Sequence, residues 1–179
     1  VSVGLADEIV INAGDGQSGT VAQDVTAQGS NVDLEVKVYD AWRNPVSGET
    51  VTWAIQGGDG TGRVDADNSG SLVVSDTSTT DGSGIASCEV WQLDETAGGN
   101  TLRASIGSGT VSYVDFSATG VAEGTVYDFV VDASNTAPTA GESFTVTVTA
   151  RDQYGNTVTG YSGTNFSISG GSVAPDGTS

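Results

Sequence analysis

Histidine and methionine are missing from this 179-residue chain, cysteine occurs once, and only 5 side chains are basic. Without histidine the commonest general base and transition-metal ligand is gone. That excludes Ser/His/Asp and Cys/His catalysis within these residues. A carboxylate pair could still act as acid and base, but no apolar setting in the sequence pushes two carboxyl pKa values apart. Cys88 has no partner for an intrachain disulfide, so the fold must be held by its cores alone. Its inward place on a predicted strand reads as a small buried apolar residue. No stretch of helix formers keeps a 3.6 period, so helix is expected to be scarce. No signal-peptide pattern or long apolar run is read in this segment, which looks cut from a longer chain, and the segment is not expected to insert into a membrane.

What is abundant is acid, glycine and β-branched residues. Against Lys37, Arg43, Arg63, Arg103 and Arg151 stand 23 carboxylates, a formal net charge of -18. Such a surface repels nucleic-acid phosphates and anionic membranes, which makes nucleic acid an unexpected partner, and it attracts divalent cations. The apolar 36% leans to Val, Ile and Ala, with many Thr between them. These residues suit a pleated, half-buried surface.

Self-comparison is the most informative step. VKVYDAWRNPVSG (36–48) matches VTARDQYGNTVTG (148–160), placing Asp40 with Asp152, Trp42 with Tyr154, Asn44 with Asn156 and Gly48 with Gly160. VTWAIQGG (51–58) matches TNFSISGG (164–171), and EIVINA (8–13) matches DFVVDA (128–133), giving a repeat of about 115 residues. VSVGLAD (1–7) resembles SATGVAE (117–123), the stretch that closes the first repeat. The expected organisation is therefore a last-strand remnant of a preceding repeat at 1–4, a complete unit at 5–121 and the N-terminal part of a second at 122–179.

Alternation and turn residues predict strands in the complete unit at 7–13, 31–40, 49–56, 71–77, 84–92, 100–107 and 111–119, with short ones near 19–25 and 62–66. Inward positions would include Val32, Leu34, Val36 and Val38; Ala86, Cys88 and Val90; Val114, Phe116 and Ala118. Trp53 would sit at the centre of the core. Short strands with turns every 8–12 residues signal a sandwich. The fold class is all-β, with tandem immunoglobulin-like antiparallel β-sandwiches.

DAWRNPVSGETVTW (40–53) followed by STTDGSGIA (78–86) resembles the bacterial immunoglobulin-like group 1 repeats of the intimin and invasin adhesins. In that family an Asp-x-x-Gly-Asn-Pro-Val turn links two strands and a Thr-Thr-Asp-x-x-Gly-x-Ala stretch opens a later one. Arg43 stands where the family has Gly, and Gly155 keeps it. The second repeat, with Thr157 for the Pro and TGYSGT at 159–164, is nearer to filamin-like repeats of bacterial surface proteins. The resemblance implies a rigid stalk holding a binding tip away from a cell. The motif residues also have a plain physical account. Asp40 and Asn44 side chains can bond turn amides, Pro45 presets φ, and Gly48 permits a tight bend.

Three kinds of site are suggested. DADNSGSLVVSD (65–76) fits the spacing of an oxygen-ligand calcium loop, with Asp65, Asp67, Ser69 and Asp76 as candidate ligands for Ca2+. Its final Asp in place of Glu, and its lack of flanking helices, favour a solvated hairpin over a calcium loop. Asp7 and Glu8 correspond to Glu123 and Asp128, where cations bridging carboxylates would stiffen a junction between repeats. Trp42, Tyr154 and Trp91 are candidate contacts for a neighbouring repeat or, as stacking platforms, for a glycan or host-surface ligand. Asn165-Phe166-Ser167 is a glycosylation sequon.

Together these readings give an extracellular structural repeat segment of a prokaryotic cell-surface or secreted protein, either an adhesin stalk or a self-assembling fibre. Its partners would be neighbouring repeats and further copies of itself. The alternative is a carbohydrate-binding or accessory module of a secreted enzyme.

Overall fold

A computed structural model describes residues 4–162; the 164–171 match, the Asn165 sequon and residues 1–3 fall outside the described residues. The described residues form strands and no helix. They divide into two compact units that meet in sequence at Glu123 and Gly124.

The first unit contains ten strands: β1 (Ala6–Ala13), β2 (Gln17–Thr20), β3 (Leu34–Asp40), β4 (Thr50–Ile55), β5 (Arg63–Asp65), β6 (Ser75–Thr79), β7 (Ile85–Cys88), β8 (Val90–Gln92), β9 (Gly98–Ser105) and β10 (Tyr113–Val121). One sheet has the order β1-β3-β7, the other β2-β10-β9-β4-β6, and β5 pairs with β8 in a short ladder. The chain changes sheet between β1 and β2 at Gly14 and Gly16, both at positive φ. This switch makes β2 run parallel to β10 while every other strand pair is antiparallel. Asp15 secures the switch by accepting the Gly16 and Ser117 amides.

Alternation puts one side of each strand inward. Ile9, Leu34, Val36, Val38, Ala86 and Cys88 face Val51, Trp53, Leu102, Ala104, Phe116 and Ala118 in one buried cluster. Trp53 and Phe116 pack with ring centroids 5.7 Å apart. The Trp53 indole N–H donates to Ser78 Oγ at 2.9 Å, so its polar atom is satisfied at no cost to the packing. Each large side chain so buried stabilises the fold by about 1.5–3 kcal/mol.

Three expectations need correction. Val32 is exposed, because β3 begins only at Leu34. The 84–92 strand is split at Glu89, and after the break β8 pairs with β5 instead of continuing beside β3. The phase shift buries Trp91 (1% exposed) and leaves Val90 partly buried, so Trp91 offers no platform to a ligand. The 71–77 strand moves to β6, whose sequence SDTST lacks apolar alternation. Val73 only bridges Val64, and Val74 is exposed.

The registers also define two poles of this unit. At one lie Gly4 to Asp7, the 40–46 turn and the 107–110 loop, joined where Thr110 donates to Asp7. At the other lie the end of β2, the 56–62 loop and the 93–98 loop, joined where the Ala22 N–H donates to the Asp94 carbonyl.

In the second unit β11 (Asp128–Ala133) and β12 (Val146–Arg151) form an antiparallel pair. Phe129 lies opposite Ala150 and Val131 opposite Val148. In the first unit the matching residues repeat this register, with Ile9 opposite Val38 and Ile11 opposite Val36. The sequence repeat is thus also a repeat of strand pairing.

Candidate functional site

Residues 65–72 form a hairpin loop closed by two backbone hydrogen bonds between Val64 and Val73, at 2.8 and 2.9 Å, and Asp76 follows on β6. Asp65, buried at the end of β5, accepts the Ser69 amide at 2.9 Å and the Gly70 amide at 2.6 Å. Asn68 and Gly70 take positive φ to turn these amides inward. Burial opposes ionisation of Asp65, but the amides and the Ser69 hydroxyl outweigh it and hold its carboxyl below the ordinary range. Asp67 also accepts from Ser69, and Asp76 accepts the Ala66 amide at 2.7 Å. The loop brings one carboxylate oxygen each of Asp65, Asp67 and Asp76 within 4.8 Å of one another, and the Ser69 hydroxyl lies 3.3 Å from Asp65. Chemically this is a hard-oxygen cluster in which backbone amides already supply part of the compensating positive charge.

A second polar centre is the aspartate turn. Asp40, 1% exposed, accepts the amides of Trp42 and Asn44 at 2.9 Å each, the Asn44 side chain, and the Gly4 amide at 2.9 Å. The Asn44 side chain first, then the Gly4 amide, draw its pKa down to about 2. Asp152 repeats the arrangement with Tyr154 and Asn156. Gly155 takes φ +87° in this turn, and its counterpart Arg43 is forced to +66°. A left-handed non-glycine residue costs on the order of 1 kcal/mol. Arg43 gains in return an ion pair with Glu8 and a place 4.7 Å from the Tyr39 ring centre.

The two stretches that carry the family resemblance meet here. Thr80 is buried; its hydroxyl donates to the Val46 carbonyl and accepts the Glu49 amide, and its carbonyl accepts the Gly48 amide. Asp81 holds the following turn through the amides of Ser83 and Ile85. Asp40, Asn44, Thr80 and Asp81 of these motifs therefore act as ties within and between turns.

A third centre lies outside every motif of the sequence. Asp94, 1% exposed, accepts the Gly62 amide at 2.6 Å and the Asp59 amide at 3.2 Å. Burial and the neighbouring Asp59 carboxylate raise its pKa. Asp59 is opposed by burial too, but the hydroxyl and amide of Thr61 and the Thr96 amide hold it low. Gly58 (φ +97°) lies against Asp94, and a Cβ there would overlap the carboxylate oxygen. The only signal in the sequence is an Asp within a glycine run, GGDGTG, which any loop could carry.

The remaining candidates are placed as follows. Trp42 is 75% exposed and Tyr154 37% exposed, each on its own unit's aspartate turn. Asp7 is engaged by Thr110, Glu8 by Arg43, and Asp128 by Arg151. Glu123 closes the first unit and is partly buried. Cys88 is buried, and burial pushes its thiol pKa up, which makes it inert as a nucleophile. An open groove along β6 and β7 is lined by Glu35, Asp67, Asp81 and Glu89, so the acidity extends along that edge of the sandwich.

No family model matches the sequence, and no curated protein matches it. Among solved structures, the chain is similar to surface layer protein SbsC domains 1-6, at 18% identity and TM-score 0.45, over 86% of this chain and 17% of that one. Domains 4-9 of SbsC give 20% identity and TM-score 0.44, over 86% and 21%. Domains 5-6 of the S-layer protein SbsC give 18% and 0.42, over 86% and 65%. The chain thus spans about a fifth of the longer SbsC structures.

Proposed function

We propose that this chain is a structural segment of a prokaryotic extracellular surface protein, in which immunoglobulin-like sandwiches in series space one part of the protein from another. The observation that carries the reading is the repeated build: the same cross-strand register and the same buried aspartate turn occur in both units. Serial units with separate cores suit a spacer, because each resists unfolding by itself while the number of units sets reach. The polar centres serve the same end, since their hydrogen bonds tie turns to one another within a unit. In this reading the repeats act as an adhesin stalk or an extracellular fibre.

Pulling a single chain from its two ends tests the reading. The first unit, roughly 120 residues at about 3.6 Å each, should open in one cooperative event that releases about 40 nm. Gradual extension with no rupture would contradict a spacer that resists tension.

The hard-oxygen cluster favours a second property in the same role. A calcium ion on Asp65, Asp67 and Asp76 would neutralise carboxylates whose oxygens lie within 4.8 Å of one another. A thermal midpoint that rises with calcium and falls with chelator supports it, and an unchanged midpoint leaves the loop held by its amides alone.

A further inference from the structure

Trp42 is the exposed member of the chain's three tryptophans; Trp53 and Trp91 are buried. Its backbone is fixed, because the Asp40 carboxylate holds its amide and the amide of Gly4, and the edge of its ring lies beside Gly4. With Leu5 (90% exposed), Ala6, Ala41 and Gly109 it lines a mostly apolar cleft at the Gly4 end of the first unit. An exposed indole beside an exposed leucine has no part in the core, and such a patch marks a contact surface.

The sequence indicates what covers it. The cleft is lined by Gly4 to Asp7, and the 1–7 stretch is the counterpart of 117–123, where β10 ends a unit. The patch therefore lies where the repeat pattern ends one unit and begins the next. The pole of the first unit at which β10 ends has matching chemistry. It presents Gly60, Gly98 and Gly99, each with nothing within 4 Å of where a Cβ would stand, together with the acidic Asp59 and Glu95. Arg43, next to Trp42 and paired with Glu8, is the only base among the described residues of its own pole and is opposite in charge to those acids.

We propose that the Leu5–Trp42–Arg43 surface is the seat of another unit of this same repeat, docked end-on through its glycine-rich acidic pole. This rests on the reading of the chain as a serial spacer and identifies the contact that would stiffen it. An end-on contact between small sandwiches covers roughly several hundred Å² per side, too little to hold free molecules together. A covalent tether supplies an effective concentration on the order of millimolar, which is enough.

The experiment joins a copy of residues 4–120, carrying Trp42→Phe, ahead of Val1 of the 179-residue chain. Collisional quenching by acrylamide then reports on Trp42 of the original unit. Its quenching should fall several-fold relative to the chain alone, and Trp42→Ala in the original unit should broaden the distribution of interunit distances seen by small-angle scattering. Unchanged quenching, or an equally narrow distribution in the Trp42→Ala chain, would overturn the proposal. Neither result depends on how the chain responds to force, so failure here is distinguishable from failure of the spacer reading.

Discussion

Replacing Gly58 by alanine tests the buried Asp94 centre. Gly58 sits at φ +97°, where an L side chain costs about 1–2 kcal/mol. Its new Cβ would also overlap Asp94 Oδ2, so the carboxyl must leave the Gly62 and Asp59 amides. Losing those two hydrogen bonds adds on the order of 1 kcal/mol each. The expected destabilisation is about 3–4 kcal/mol, a fall in midpoint of roughly 12–25 °C for a unit of this size. Gly60 provides the control, because it has φ +85° and nothing within 4 Å of the place its methyl would take. Gly60→Ala should show the backbone cost alone, about 1–2 kcal/mol. Urea unfolding of both variants measures the difference, and an Asp94→Ala background should shrink the Gly58 effect towards the Gly60 value. Equal losses for Gly58→Ala and Gly60→Ala in the unaltered background would refute the packing of Asp94 against this glycine.

Acidity should act on the unit in two opposite ways. Asp94 has a raised pKa in the fold, so its contribution is fully present below the ordinary carboxylate pKa and is lost as pH rises through its folded value. Asp94→Asn should flatten the decline of stability that sets in as pH rises above about 4. Asp40 is drawn down to about 2, so its contribution is present above the unfolded value of 3.8 and lost as pH falls through about 2. Acid titration of Asp40→Asn by circular dichroism should show less of that loss. Trp53→Ala removes the fully buried ring packed on Phe116 and should cost about 3–5 kcal/mol in denaturant unfolding. Trp42→Ala, by contrast, should leave the midpoint of the 179-residue chain within about 2 °C, because the ring is exposed and alanine keeps the backbone amide that Asp40 holds.

Core positions are the most legible part of the sequence. Trp53, Leu34, Val36 and Val38 announce themselves by alternation, because a strand with one face buried must place apolar residues at every second position. The aspartate turn is equally legible in its local part, since Trp42 and Asn44 lie within four residues of Asp40 and local side-chain capping needs no tertiary knowledge; the Gly4 amide, 36 residues away, is not read this way. Trp91 is misplaced by alternation because the pattern is reliable only while a strand continues, and the break at Glu89 shifts its phase. β6 escapes because an edge strand with exposed faces carries no hydrophobic period. The Asp59–Asp94 centre cannot be read at all: its halves are 35 residues apart, in loops whose composition signals only turns.

The central claim is a structural role outside the cell. Antibodies raised against the first unit, applied to intact cells of the source organism and then to their lysate, test it most directly. The account predicts labelling of intact cells that mild external proteolysis removes. Labelling that appears only after lysis would contradict it.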